Sequence, residues 1–126
     1  MDRTKAASAS LKSLIIARIF AGSVHLFAPR WASNLINMPA TGTAGVVYAR
    51  MFGIRNLLLA AALIRLDRFD SPRRFLAMNV LTDAIDAVAF VAAGRRKDIS
   101  STATAVGTAI ALSATTAGAL AVPPRS

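Results

Sequence analysis

The sequence predicts an all-α protein, a four-helix transmembrane bundle that forms a single membrane domain over residues 1–126. Three observations predict it. Hydrophobic residues make up 55% of the chain and charged residues only 17%, whereas a soluble domain carries about a quarter charged residues. The apolar residues come in four long blocks rather than at amphipathic spacings, and the mean hydropathy is +0.52. Each block is close to the ~20 residues that cross ~30 Å of hydrocarbon at ~1.5 Å per residue.

Span one is expected over about residues 11–28, stopped by Pro29-Arg30-Trp31. The charged start, Met1-Asp2-Arg3-Thr4-Lys5, is similar to the first region of a signal peptide. The apolar stretch after it lacks a convincing small-residue cleavage site, so it reads as a retained helix. A connection over 31–43 holds Pro39 and Gly42, and Trp31 and Tyr48 suit an interfacial aromatic belt. Span two covers about 44–64 and breaks at the polar run from Arg65 to Pro72. Span three covers about 75–93 and ends at Gly94-Arg95-Arg96-Lys97; span four covers about 101–122 and ends at Pro123-Pro124. No strand pattern or internal repeat interrupts this series.

Charge sets the expected orientation. With the N-terminus in the cytoplasm, eight cations fall on the cytoplasmic side and four on the outer side, the 95–97 cluster among the latter. The positive-inside rule therefore places both termini in the cytoplasm of a plasma or inner cell membrane. The net charge is +9, which in a soluble chain points to nucleic acid. Here most cations flank apolar blocks, where loops meet anionic headgroups. Basic and aromatic residues do not alternate as a base-stacking surface requires, so no nucleic-acid partner is expected. There is no cysteine, which excludes disulfides and thiolate ligands.

The remaining three arginines fall inside the spans, and they are the informative residues. Span one carries Arg18, with Gly22 and His25 on the same face; span two carries Arg50 and Arg55-Asn56; span three carries Asn79, Asp83 and Asp86. At ~100° per residue, Asn79, Asp83 and Asp86 form one stripe about 60° wide, while Arg50 and Arg55 point about 140° apart. Counting rise from the helix ends puts Arg18 roughly 8 Å above the cytoplasmic boundary, Asp83 about 12 Å and Arg55 about 13 Å. Asp86 and His25 come to about 17 and 18 Å, and Arg50 to about 21 Å. Arg55 is thus level with Asp83, and His25 with Asp86.

Each intramembrane charge costs about 2.5–3.5 kcal/mol on insertion scales, so such residues need partners or water and mark function by default. Three arginines against two aspartates leave one positive charge in surplus, which predicts an anion, a partner acid or access of water. The reading is a site for a lipophilic small molecule with an anionic or polar head. Arg18, Arg50 and Arg55 would bind the head with Asn56 and Asn79, and Asp83 and Asp86 would move protons with His25. An isomerase, cyclase or epoxide-opening reaction needs only such groups and calls for no cofactor. One histidine and two aspartates make a poor metal set. Tyr48 and Thr82 are further hydrogen-bond donors near these levels. The bland alternative is that buried Arg–Asp pairs only fix helix register.

Span four has no charge, and Ala103, Gly107, Ala111, Thr115 and Gly118 make a small-residue stripe. Such a stripe packs helices within a bundle or forms the face of a homodimer or larger membrane complex. An accessory subunit docking through it is the second functional reading, and a proton or anion conduit the third.

The segment Arg50-Met-Phe-Gly53-Ile-Arg55-Asn56, followed about thirty residues later by Asp83-x-x-Asp86, resembles an uncharacterised family of small four-span membrane proteins. That family reads roughly Arg-x-x-Gly-x-Arg-Asp on helix two and carries aspartate on helix three. The resemblance implies the four-helix fold and marks Arg50, Gly53, Arg55 and Asp83, but supplies no activity. Asn56 stands where the family often has Asp, which removes one counter-charge.

Overall fold

The computed structural model describes residues 2–39 and 42–122. They form α1 (Arg3–Phe27), α2 (Pro29–Leu35), α3 (Gly42–Ile64), α4 (Pro72–Arg95) and α5 (Ser101–Ala121), with a 3-10 turn at Leu66–Arg68. Four of these helices are long and apolar enough to span a membrane, and no strand occurs among the described residues. The protein is a multi-pass membrane bundle. Its outward faces carry Phe20, Leu58, Met78, Ile85, Val88, Ile110 and Leu112 exposed, whereas the buried positions are mostly alanine, glycine and polar residues. A monomeric soluble protein rarely exposes so much contiguous apolar surface.

The helices begin and end for local reasons. Asp2 caps α1 by accepting from the Thr4 amide at 3.3 Å, so α1 starts eight residues before the expected span. Pro29 does end α1, but it also opens α2, and Pro72 likewise opens α4. Proline at the first helical position lacks only an N–H that would be unsatisfied anyway. The expected connection over 31–43 is thus partly helical. Ser100 caps α5 by accepting from the Ala103 amide at 3.0 Å. The Pro123-Pro124 stop lies outside the described residues.

Two helices end alike. Asn37 after α2 and Lys97 after α4 hold φ of 53° and 59°. In each case the next amide bonds back five residues, Met38 to Ser33 and Asp98 to Ala93. This left-handed closure usually takes glycine, and asparagine tolerates it well. The two turns are clasped together, for Asn37 Nδ2 donates to Ser100 Oγ and Ser100 Oγ donates to the Asn37 carbonyl, both at 3.2 Å.

The bundle is built from two tight pairs, α1 with α3 and α4 with α5, joined along α1 and α5. Gly22 and Gly53 face each other at the α1–α3 crossing. A Cβ on Gly53 would lie 2.7 Å from the Gly22 carbonyl oxygen and from the Leu26 amide nitrogen. This is the close approach that small residues permit when lipid supplies no hydrophobic drive between helices. In the other pair, Gly107 lies against the Phe90 ring and Gly94 against Thr104, while Gly118 packs on Val80 and Leu14. The small-residue stripe of α5 is therefore consumed inside the bundle, with Ala103, Gly107, Ala111 and Gly118 buried. Of the two roles open to the stripe, packing within the bundle is the one these contacts show. The fourth seam, between α3 and α4, has hardly any close backbone approach.

Candidate functional site

The glycine crossing positions the polar interior. Gly22 lies one turn beyond Arg18 on α1, and Gly53 three residues before Asn56 on α3. The short spacing between those helices lets the short Asn56 side chain reach Arg18. Arg18 Nη1 donates to Asn56 Oδ1 at 2.9 Å, and Arg18 Nη2 donates to Asp83 Oδ2 at 2.6 Å across the bundle. The side chains of Arg18 and Asp83 are 4% and 5% exposed, so this pair is sealed. Asn56 Nδ2 donates to the Phe52 carbonyl at 3.0 Å, which fixes its amide with the oxygen toward Arg18.

Asn56 is therefore a neutral acceptor. A second carboxylate at that position would give the sealed cluster a net negative charge, with no further cation inside it. The asparagine keeps Arg18, Asp83 and Asn56 electrically balanced. Asn79 sits one turn below Asp83 and donates through Nδ2 to the Phe75 carbonyl at 3.3 Å. Its Oδ1, like Arg18 Nε, is buried without a partner among the described residues.

The second pair lies across the open seam. Arg55 Nη2 donates to Asp86 Oδ2 at 2.5 Å and Nη1 to Asp86 Oδ1 at 3.4 Å, an end-on fork. Here the side chains are 38% and 28% exposed. The Arg55 guanidinium also stands over the Phe52 ring, 5.2 Å from its centroid. His25 meets the same ring edge-on at a centroid distance of 4.7 Å. His25 Nδ1 lies 2.7 Å from the Ala21 carbonyl. A carbonyl only accepts, so Nδ1 is the nitrogen that donates.

The expected pairing by level is corrected. Arg55 joins Asp86 rather than Asp83, and Asp83 instead takes Arg18. His25 bonds to its own helix and does not meet Asp86. In both ion pairs the arginine lies about 4 Å below its partner by the rise count. A long arginine side chain absorbs that offset, so facing direction decides the partner and depth does not. Arg50 is exposed, takes part in neither pair, and lines a groove with residues of α2. The surplus cation read from the sequence is thus Arg50. Thr82 donates to the Met78 carbonyl on its own helix, and Tyr48 is exposed.

Phe52, which the Arg50–Asn56 segment contains without marking it, joins His25 to Arg55. Its signal was the spacing of three from Arg55, which stacks two side chains on one helix face. Among the described residues there is no group of three or more His, Cys, Asp and Glu side chains placed to hold a metal.

No protein-family model, curated protein or solved structure matches the chain.

Proposed function

We propose that the seam between α3 and α4 binds a lipophilic molecule by its polar head, with the Arg55–Asp86 fork as the head's partner. One observation carries this reading. The fork is partly exposed at mid-span, and the medium there is hydrocarbon, not water. An ion pair facing lipid lacks the solvation that makes a surface pair harmless. A polar head supplies it, and a lipid-soluble guest reaches the seam from within the membrane. The sealed Arg18–Asp83–Asn56 cluster is the register-fixing support behind it, in line with the known use of buried polar groups.

The chemistry available at the seam is acid–base. Asp86 is the carboxylate within reach of a guest, Arg55 the anion-stabilising group, and His25 an imidazole behind Phe52 with Nδ1 held against the Ala21 carbonyl. An isomerisation, cyclisation or epoxide opening would use Asp86 to take or give the proton. Of the groups named from sequence, Asp86, Arg55 and His25 belong to this seam, while Arg18, Asp83, Asn56 and Asn79 belong to its support. The accessory-subunit reading would need a face other than the α5 stripe. We extend the proposal to placement in a cell membrane with both termini cytoplasmic, and to membership of the four-span family that the Arg50–Asn56 segment resembles.

Purification in native lipid followed by mass spectrometry tests the binding claim. The wild-type protein is expected to carry a polar-headed lipophile that is lost from the Arg55→Gln/Asp86→Asn variant and kept by Arg68→Gln. Equal loading of all three proteins, or a co-eluting protein in place of a small molecule, would refute it.

A further inference from the structure

A second site lies at the end of the bundle that carries α2. Ala28, Pro29, Arg30, Trp31, Val46 and Arg50 line a groove of 340 Å³ between α2 and α3. Arg30 and Arg50 are both exposed, and neither forms an ion pair with the described residues. Side chains on a helix tilt toward its N-terminus. For α3 that is the α2 end, so Arg50 leans out of the bilayer interior toward Arg30, along the face it shares with Val46 one turn earlier. The Trp31 side chain, in a residue 53% exposed, forms the adjoining wall. Tryptophan is the residue enriched where headgroups meet acyl chains.

The charge balance says what belongs there. The aspartates within the bundle are committed to Arg18 and Arg55, and at the α2 end Asp98 is paired with Arg96 at 3.5 Å. At the opposite end a comparable groove is lined by Arg65, Arg68 and Phe69, but Asp67 and Asp70 neighbour those arginines in the chain. The α2 groove combines two cations, no acid in its lining and an apolar wall of Trp31 and Val46. We propose that it holds the phosphate of an anionic phospholipid headgroup, with Arg50 and Arg30 on the phosphate and Trp31 and Val46 against the upper acyl chain. Two positive charges without a carboxylate favour a net-negative headgroup over a zwitterionic one, whose ammonium would meet like charge. This site is separate from the α3–α4 seam and stands or falls independently of it.

Trp31 is the one tryptophan in the chain, so its fluorescence reads the groove directly. The protein is reconstituted into phosphatidylcholine vesicles doped with acyl-brominated phosphatidylglycerol or, in parallel, acyl-brominated phosphatidylcholine. Bromine quenches only within contact range. We expect the phosphatidylglycerol to quench preferentially, with about fivefold in relative affinity for each arginine, the worth of one cation near an anionic surface. The preference should fall toward unity in the Arg30→Gln/Arg50→Gln variant, survive in Arg30→Lys/Arg50→Lys, and be untouched by Arg68→Gln at the other end. Equal quenching by the two lipids in the wild-type protein would overturn the proposal without recourse to any variant. A preference that persists in the double glutamine variant would also overturn it. If millimolar inorganic phosphate abolishes the preference while sodium chloride of equal ionic strength does not, the groove is a site for soluble anions and the lipid assignment fails.

Discussion

Two ion pairs of the same chemistry stand within one bundle, and they differ in what surrounds them. Arg18–Asp83 crosses the centre, is almost wholly enclosed, and shares Arg18 with the neutral acceptor Asn56. Arg55–Asp86 bridges the one seam whose backbones stay apart, and a third of it faces outward. In water the exposed pair would be the trivial one. In a membrane the order of interest reverses, because outward means hydrocarbon. The enclosed pair is satisfied by the protein, while the outward pair needs something more.

That contrast is open to breakage, most severely at the enclosed pair. Arg18→Met should cost about 3–5 kcal/mol, since it strands the Asp83 charge in the core. Unfolding titrations in mixed micelles would measure it. Arg18→Met combined with Asp83→Leu should recover most of the loss, because apolar replacement of a whole buried pair is often neutral. A double variant no better than the single would mean that the pair contributes more than compensation of charge.

The glycine crossing comes next. Gly53→Ala forces a Cβ to within 2.7 Å of backbone atoms of α1, which cannot rotate away. Overpacking of this kind costs about 1–3 kcal/mol, and it should also lengthen the Arg18–Asn56 bond. The same micelle titration reads the stability, and a matching loss in Gly22→Ala would confirm that one contact is being probed from both sides.

Neutralising the outward pair together, as Arg55→Gln/Asp86→Asn, leaves no lone charge and should cost only about 1 kcal/mol of stability. Ligand retention should nevertheless fall by roughly tenfold or more, the worth of a charge-assisted hydrogen bond. A large stability loss with retention intact would reverse the roles assigned to the two pairs. The smallest effect is expected far from both. Lys97 holds a left-handed conformation, so Lys97→Gly should raise stability by about 0.5 kcal/mol, visible as a shifted unfolding midpoint.

How much of this was legible in the sequence follows from what each feature depends on. Block length and hydropathy sufficed for the four spans because crossing a bilayer is a one-dimensional constraint. Angular periodicity placed Asn79, Asp83 and Asp86 in one stripe of α4, of which Asn79 and Asp83 are buried and Asp86 is half-buried. It also separated Arg50 from Arg55, which indeed serve different surroundings. Partner choice was not legible. It depends on which helices are neighbours, and the chain order α1, α3, α4, α5 does not reveal that the α3–α4 seam stays open. The α5 stripe showed the same limit: its small residues announced close packing but not whether the neighbour was α4 or another molecule. Proline misled in one specific way. Pro29 and Pro72 mark stops in the sequence, and each also satisfies the first position of the next helix.

The central claim is that Asp86 is reached from the membrane and Asp83 is not. A lipid-soluble carbodiimide, which reacts with carboxyl groups accessible from hydrocarbon, tests it directly when followed by peptide mass spectrometry. The account predicts an adduct on Asp86, stronger in Arg55→Gln where the fork is broken, and none on Asp83. Labelling of Asp83 as readily as Asp86, or of Asp83 alone, would contradict it.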